Sequence, residues 1–525
     1  MSFTLNSDTM SPWLLIVGAI LLVSIRYSWN KFFDRRTLPP GPKGVPLIGN
    51  LHQVPKQRQF DQYYQWSKEY GPIMYFNMAG RPLVVLSSHK AAHGLLSLRS
   101  SRYSDRPRMV MASDLITKGM HILMRPYDAA YRLHQRMQAP DLESRQMLFD
   151  ILKESDAAGG KGIYASHHME RSMASFIYSL SYGYRLRTGH EEHFEDAKRV
   201  QVQFKETGLV GGYIVDVLPV LNNLPSFLAP WKKKAEEIYQ LEKRLHTGNV
   251  RRGLENPGWN FTKHYFNHSP EAKGMSDVEI AYDLGVIADA ALDTSTVTLA
   301  WLLVAWATSD GEWVAKAQRL LDNVVGRDRM PRFEDRDKLA YIDAIANETL
   351  RWRPVLVGGV PHFTKTEDTY MGYKIPAGSI VIGTHFAITQ QESSFGDRPA
   401  DFIPERWLAE DGGLKDLPLT GFGFGRRICT GKHIARNNLY IHMAKLLWAF
   451  DIELGISEVT GEQERIDDMA GTEGLVFSPA PFKAVFRPRG PWIRELIERQ
   501  GNTHEVDHAE ILAEIGRGMI PKSGA

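Results

Sequence analysis

One cysteine stands in a chain of 525 residues, and it sits in a loop whose composition leaves few structural options. Cys429 lies within Phe422–Gly431, which reads FGFGRRICTG. A lone cysteine cannot form an intrachain disulfide, so a cross-linked scaffold is excluded and a reducing compartment fits. Its role is then packing or chemistry. An isolated cysteine is most often a small buried hydrophobe. Here Gly423, Gly425 and Gly431 let the backbone approach something flat and bulky, because glycine tolerates conformations closed to other residues. Arg426 and Arg427 are expected to set positive charge beside the sulfur, which favours thiolate over thiol. A thiolate is one of the few protein ligands for haem iron, and it pushes electron density in the sense that favours O–O cleavage.

The composition is that of an ordered globular protein, with 43% hydrophobic and 24% charged residues. A net charge of +2 gives no case for nucleic acid. The first 30 residues differ from the rest. Thr9 to Ile25 carries no charge, at the short end of the roughly 17–25 residues a membrane-spanning helix needs. A cleaved signal peptide wants basic residues before its apolar run, yet residues 1–12 contain no Lys or Arg. Arg26, Lys31, Arg35, Arg36 and Lys43 all follow the run, so the positive-inside rule leaves the N-terminus in the lumen and the remainder in the cytosol. The sequons at Asn260, Asn267 and Asn347 are then expected to stay unglycosylated. Residues 31–45 read as a stiff proline-rich hinge around Leu38–Pro42.

Residues 73–78 and 83–86 flank Ala79, Gly80 and Arg81 and predict a β-hairpin. From about residue 130 to 350 the pattern is mostly helical. Strand-like stretches return at 369–375, 379–384 and near 483–487. No repeat and no internal linker divides residues 46–490, so one large domain, mainly α with a small β part, is expected there. The tail at 491–525 is charged and weakly amphipathic, which suits a marginal surface helix or disorder.

Ser276 to Glu279 is a capping box that opens a long helix running to Ser309, with Gly311 just past its end. Within it, Asp293 and Thr294 put an acid and a hydroxyl in mid-helix, which propensity alone disfavours. Further on, Glu348 and Arg351 are three residues apart and face the same way on a helix. Pro404–Trp407 and the cysteine loop follow in that order.

Together these segments resemble the cytochrome P-450 superfamily over roughly residues 38–490. The loop matches F-x-x-G-x-R-x-C-x-G at every fixed position. Ala290–Ser295 is similar to A-G-x-D/E-T-T/S, with Ala291 for glycine, and the other two match E-x-x-R and P-E-R-F, with Trp407 for phenylalanine. The resemblance implies a mainly α cytochrome P-450 fold with a small β part after one transmembrane helix. It implies haem as cofactor and Cys429 as axial iron ligand, with Phe422, Gly425 and Gly431 shaping the loop. Arg427 and His362 are implied as partners of the haem propionates. Tyr131, Arg132 and Arg136 answer to the family's W-x-x-x-R, although tyrosine replaces tryptophan and Gln135 stands where arginine is expected. Thr294 and Asp293 are implied to relay protons to dioxygen. Glu348, Arg351 and Arg406 are implied to form a buried ion network behind the haem.

The activity implied is a membrane-anchored monooxygenase of the endoplasmic reticulum, single-pass and with a cytosolic catalytic domain. It would use NADPH electrons from cytochrome P-450 reductase, with cytochrome b-five as an optional donor. Lys432, His433, Arg436 and Lys445, with Arg132 and Arg136, are read as a basic face for that reductase. Segments 106–124, 205–221, 355–360 and 471–477 are implied to line a pocket, and Val110, Met111, Leu115, Val357 and Val476 suggest a small hydrophobic substrate. Residues 209–219 and 227–234 suit a membrane interface. The style of the chain resembles fungal tailoring enzymes of secondary metabolism such as the O-methylsterigmatocystin oxidoreductases. Two alternatives are a haem-thiolate isomerase or dehydratase that needs no dioxygen, which the intact Asp293 and Thr294 oppose, and a non-catalytic haem-binding membrane protein.

Overall fold

Helices dominate, as the scarcity of β-branched runs predicts. The computed structural model describes residues 37–519 except 119, 122, 124–140, 209–211, 270, 458–459, 473, 505 and 507. The anchor expected at 1–30, and Tyr131, Arg132, Gln135 and Arg136, lie outside the described residues. The main elements in chain order are α1 (Gln59–Tyr70), β1 (Ile73–Met78), β2 (Arg81–Leu86), α2 (Asp141–Ala157), α3 (Ser166–Tyr182), α4 (Glu192–Thr207), α5 (Pro230–Glu255), α6 (Phe261–His268), α7 (Asp277–Thr308), α8 (Glu312–Val324) and α9 (Ala340–Trp352). They continue as β3 (His362–Phe363), β4 (Asp368–Tyr370), β5 (Tyr373–Ile375), β6 (Ile380–Gly383), α10 (Lys432–Ala449), β7 (Phe450–Leu454), β8 (Ala484–Pro488), α11 (Pro491–Gln500) and α12 (Ala509–Met519).

α7 organises the helical part. Ser276 caps it, and Glu279 returns the bond to the Ser276 backbone, completing the capping box. The helix is apolar almost all round, which is how a helix in the centre of a large core reads. It packs against α3, α5, α9 and α10. Among the described residues it alone is long and apolar enough to cross a membrane, but it is mostly buried inside the protein. Gly285 is where α5 presses on it: a Cβ there would lie 2.2 Å from His246 Nδ1. Gly311 does not close α7. It stands at φ +77° as the N-cap of α8, and Ser309 ends α7.

The small sheet has the order β1-β2-β6-β3. β1 and β2 form the expected hairpin, turned by Ala79 and Gly80 at φ 50° and 90°. The stretch 369–375 is not one strand but a second hairpin, β4 and β5, broken at Met371 and Gly372 with φ 50° and 81°. The proline-rich hinge is non-helical and docked along β1. Tyr75 N donates to Pro40 O at 2.9 Å and Asn50 Nδ2 to Pro42 O at 2.8 Å. Only glycine fits between them, because a Cβ on Gly41 would sit 2.3 Å from Tyr75 O.

The tail, read as a marginal surface helix or disorder, forms two helices where it is described, and they are docked rather than marginal. α11 buries Ile493, Leu496 and Ile497, and Trp492 meets Trp448 with ring centroids 5.2 Å apart. Leu512 of α12 joins a core cluster that includes Phe261 and Leu284. Three apolar residues at helical spacing suffice once a complementary surface is waiting for them. Asn260 and Asn347 are buried, so the folded chain has no room for a glycan on either.

Glu348 is the polar centre of the fold. Arg351 donates to both its oxygens, Nε to Oε2 at 2.7 Å and Nη2 to Oε1 at 2.8 Å. Arg406 Nε reaches Oε1 at 3.0 Å. Trp407 Nε1 donates to Oε2 at 2.9 Å, and Ile403 N to Oε1 at 2.7 Å. Arg351 also donates to the carbonyls of Thr389, Pro399 and Asp401. The ion network is therefore as the resemblance implies, with an added donor. Tryptophan in place of phenylalanine at 407 supplies an indole N–H to the carboxylate. Removing one partner leaves a buried charge uncompensated, at a cost of about 3–5 kcal/mol. Arg351→Met should therefore lower the urea midpoint of unfolding sharply; an unchanged midpoint would show that the network is dispensable.

Candidate active site

The cysteine loop is held by backbone geometry before any side chain acts. Cys429 N donates to Phe422 O at 2.7 Å, closing the loop on itself. Gly423 and Gly425 stand at φ +79° and +57°. Gly425 must be glycine, because a Cβ there would lie 2.2 Å from Leu96 O. Phe422 is buried beneath the loop. α10 starts at Lys432, with Gly431 as its N-cap, so the sulfur sits at the positive end of an 18-residue helix. The Cys429 side chain is solvent-accessible on one side. The protein crowding its other sides raises the thiol above its usual range, opposed by the Gly431 N–H and the Lys432 ammonium. The nearby charge acting on the sulfur is that of Lys432, whereas Arg427 is buried and turns its Nε to Ser104 O at 2.9 Å.

Opposite this loop, α7 carries a strip that differs from the rest of the helix. Ile287, Ala290, Ala291 and Thr294 follow i, i+3, i+4, i+7 spacing and all retain solvent access, whereas Leu284, Ala288 and Leu292 beside them are buried. Ala291 and Ile434, in the first turn of α10, pack against the same core cluster, and α7 and α10 are themselves in contact. Thr294 Oγ1 donates to Ala290 O at 3.0 Å. Asp293 points away from the strip, toward α4. Lys205 Nζ lies 3.0 Å from both of its oxygens, donating to Oδ1 and leaving Oδ2 without another partner. Glu170 of α3 lies near this pair; burial raises its carboxyl, Asp293 adds to the rise, and Lys198 and Lys205 oppose it.

A third group gathers cationic and donor side chains. His362 is buried and its Nδ1 bonds Tyr103 O at 2.6 Å, so this nitrogen carries the proton. Burial, then the charges of Arg106 and Arg427, push its imidazolium down to about 3. Arg106 Nη1 donates to Pro361 O at 2.7 Å and Nε to Leu123 O at 3.0 Å. Two arginines and a neutral imidazole thus converge from three separate segments, a setting in which a carboxylate is stabilised. Arg106 was not foreseen as a site residue. It lay within an implied pocket segment, and only the chain's return through Pro361 and His362 sets it beside Arg427.

These features fit a haem. A reachable sulfur at a helix N-terminus supplies an axial ligand, an accessible strip of small side chains leaves room for a flat ring, and the Arg106, Arg427 and His362 group suits its propionates. Other expected residues lie elsewhere. Lys445 is not on a basic face: it is fully buried, with Nζ 2.8 Å from Asp141 Oδ1 and 2.8 Å from Ser144 Oγ. Its long stem suits burial, and the α2 terminus supplies the compensating charge. Val110 and Met111 pack with Val215, Ala235 and Ile238 in a core cluster rather than lining a cavity.

A family model described as Cytochrome P450 matches residues 39–486. The chain is 36% identical to the cytochrome P450 monooxygenase aneD of Aspergillus aculeatus, over 96% of this chain and 98% of that protein. It is 34% identical to the cytochrome P450 monooxygenase FrzL of Cladobotryum, covering 93% and 94% of the two chains. The Echilunin cytochrome P450 monooxygenase of Aspergillus ruber is 34% identical, covering 93% and 91%.

Exchange of the sulfur provides a direct check. Cys429→Ser should abolish the red-shifted carbon monoxide difference band of the reduced protein, since that band reports a thiolate ligand. Retention of the band in the variant would place the ligand elsewhere.

Proposed function

The chain belongs to the cytochrome P450 family, and on that premise we propose that it oxidises a hydrophobic secondary metabolite while anchored to the endoplasmic reticulum membrane. Membership makes it a monooxygenase with a haem-thiolate cofactor. When bound, the haem supplies dioxygen activation, with one oxygen atom going to substrate and the other to water. Cys429 would ligate its iron, and Arg427, His362 and Arg106 would hold its propionates.

The observation that carries the reading is the accessible strip on α7 that ends at Thr294. Its apolar members, Ile287, Ala290 and Ala291, leave substrate little to bond with, so hydrophobic contact dominates recognition. Thr294 Oγ1 is the one hydroxyl of the strip. By rotating away from Ala290 O it can hold a water and pass a proton to oxygen. Asp293, next in the chain and tethered to α4 by Lys205, is the acid that resupplies that proton. Electrons would come from NADPH through cytochrome P-450 reductase, docked on the face of Lys432, His433 and Arg436. Cytochrome b-five is a second candidate donor.

Exposed apolar side chains support the membrane half of the reading. Phe227 is 83% exposed, Val220 69% and Leu47 87%, with Leu218, Leu228 and Ile48 also exposed. They lie on two loops joined through one hairpin. Arg81 of β2 bonds Asp216 O, and Met78 at the end of β1 bridges Gly49. Lys232 to Lys234 follow directly, as suits an interface with lipid headgroups.

Two experiments check this function. Thr294→Ala should keep the haem and the carbon monoxide spectrum but divert NADPH electrons from product to peroxide. Asp293→Asn should slow turnover, within the roughly 10²–10⁴-fold that general acid–base catalysis supplies. NADPH consumed, product formed and peroxide released are measured side by side, and unchanged coupling in Thr294→Ala would remove the hydroxyl from the reaction. For the anchor, deletion of residues 1–36 should release part of the protein from membranes. Adding Phe227→Ser and Val220→Ser should release most of the rest with haem content intact. A truncated double variant that stays on membranes would show that this surface is not the contact.

A further inference from the structure

We infer that Glu154, His167 and His168 form a site for a late first-row divalent ion of the zinc type, where α2 meets the start of α3. His167 and His168 lie in the first turn of α3, and Glu154 lies in the last turns of α2. Both imidazoles aim the same atom at the same carboxylate oxygen. His167 Nε2 lies 2.9 Å from Glu154 Oε2, and His168 Nε2 lies 2.5 Å from it. The two rings are 4.0 Å apart between centroids and inclined by 45°. All three donor atoms fall within 4.8 Å of one another.

Two imidazole nitrogens and one carboxylate oxygen are a donor set that selects zinc and its neighbours over magnesium or calcium, which demand oxygen ligands throughout. Zinc bonds of about 2.0–2.2 Å in tetrahedral geometry set neighbouring donors about 3.3 Å apart. The Glu154 oxygen therefore has to back away by less than about 1 Å, well within the reach of one χ rotation. Room exists for that movement, because the Glu154 and His167 side chains are 39% and 50% exposed. The open side also leaves the fourth position to water.

The neighbouring acid is already committed. Asp150, one turn earlier on α2, accepts Gln146 Nε2 at 2.9 Å and pairs with Arg171 Nη2 at 3.1 Å. Among the described residues, the Glu154 carboxylate meets the two imidazoles and no lysine or arginine. Between the two helices runs a turn in which Gly159, Gly160 and Gly162 all have positive φ. An ion bound by Glu154 and the two histidines would clamp this glycine-rich connection from outside and tie α2 to α3. The cluster takes no part in the reaction proposed above, so the inference stands independently of it.

The test is calorimetric titration of Zn²⁺ into the full-length haem-loaded protein, prepared without a polyhistidine tag. One tight site per chain is expected, with little heat from Mg²⁺ and a rise in melting temperature with zinc. Loss of an outer-shell partner alone weakens metal binding by about 10–100-fold, so His168→Ala and Glu154→Gln should each cost at least about 100-fold. Both should abolish the zinc-dependent rise in melting temperature while leaving the carbon monoxide band intact. His167→Ala, at the more exposed ligand, supplies a variant in which a folding defect is least expected. The inference is overturned if the wild-type protein takes up no zinc, if magnesium binds as well, or if the His167→Ala and Glu154→Gln proteins bind zinc as the wild type does.

Discussion

The Glu348 carboxylate is the point on which the proximal half of the molecule hangs. Two arginines, an indole N–H and a backbone N–H all converge on it in a region closed to water. Such a charge is tolerable only when each lone pair has a donor, so the segments bringing those donors are held together as a set. Arg351 extends the set to the carbonyls of Thr389, Pro399 and Asp401. The same helix, α9, then packs on the start of the cysteine loop at Thr420–Phe422. The position of the sulfur is thus referred through backbone contacts to a buried ion network rather than to the sulfur's own surroundings.

On the other side, α7 resolves two opposed demands. It must be apolar almost all round to fill the core, yet it must leave one mid-helix strip open. Small residues at 290 and 291 accomplish this, since alanine keeps helix propensity while vacating volume. The acid at 293 cannot share that strip, and α4 removes it by offering Lys205. The cysteine shows a similar division of labour. The protein by itself favours the thiol, because burial outweighs the Gly431 N–H and Lys432. A coordinating metal deprotonates a thiol outright. The loop would then need only to position the sulfur, and an iron bound there would set its ionisation.

Local grammar was legible in the chain. The capping box of α7, the hairpin at Ala79 and Gly80 and the Glu348–Arg351 pair all depend on residues within a few positions of one another, whereas Gly425 of the cysteine loop is also required by the distant Leu96 carbonyl. The Arg106, Arg427 and His362 group was legible only in part, because its three members come from segments with no periodic relation. Lys445 was misplaced for the same reason. A lysine nine residues past Arg436 and the basic stretch it ends reads as surface, until Asp141 and Ser144 arrive from α2 to accept its hydrogen bonds. Trp407 was read as a variant of phenylalanine, whereas its indole N–H completes the shell of Glu348.

The sequence by itself determined the chemistry available to this protein: one thiolate-forming residue in a loop only glycine can trace, an acid and a hydroxyl in mid-helix, and a stiff proline segment ahead of the domain. Those properties follow from covalent structure and short-range sterics. Tertiary structure alone decided which charges are spent inside and which remain for partners. It also decided that α11 and α12 are docked helices rather than a loose tail, and which apolar residues pack in the core instead of facing a cavity. Burial and long-range pairing depend on surfaces that meet only when distant segments fold together. Val110 and Met111 therefore read as pocket-lining in the chain and proved to be core in the folded molecule.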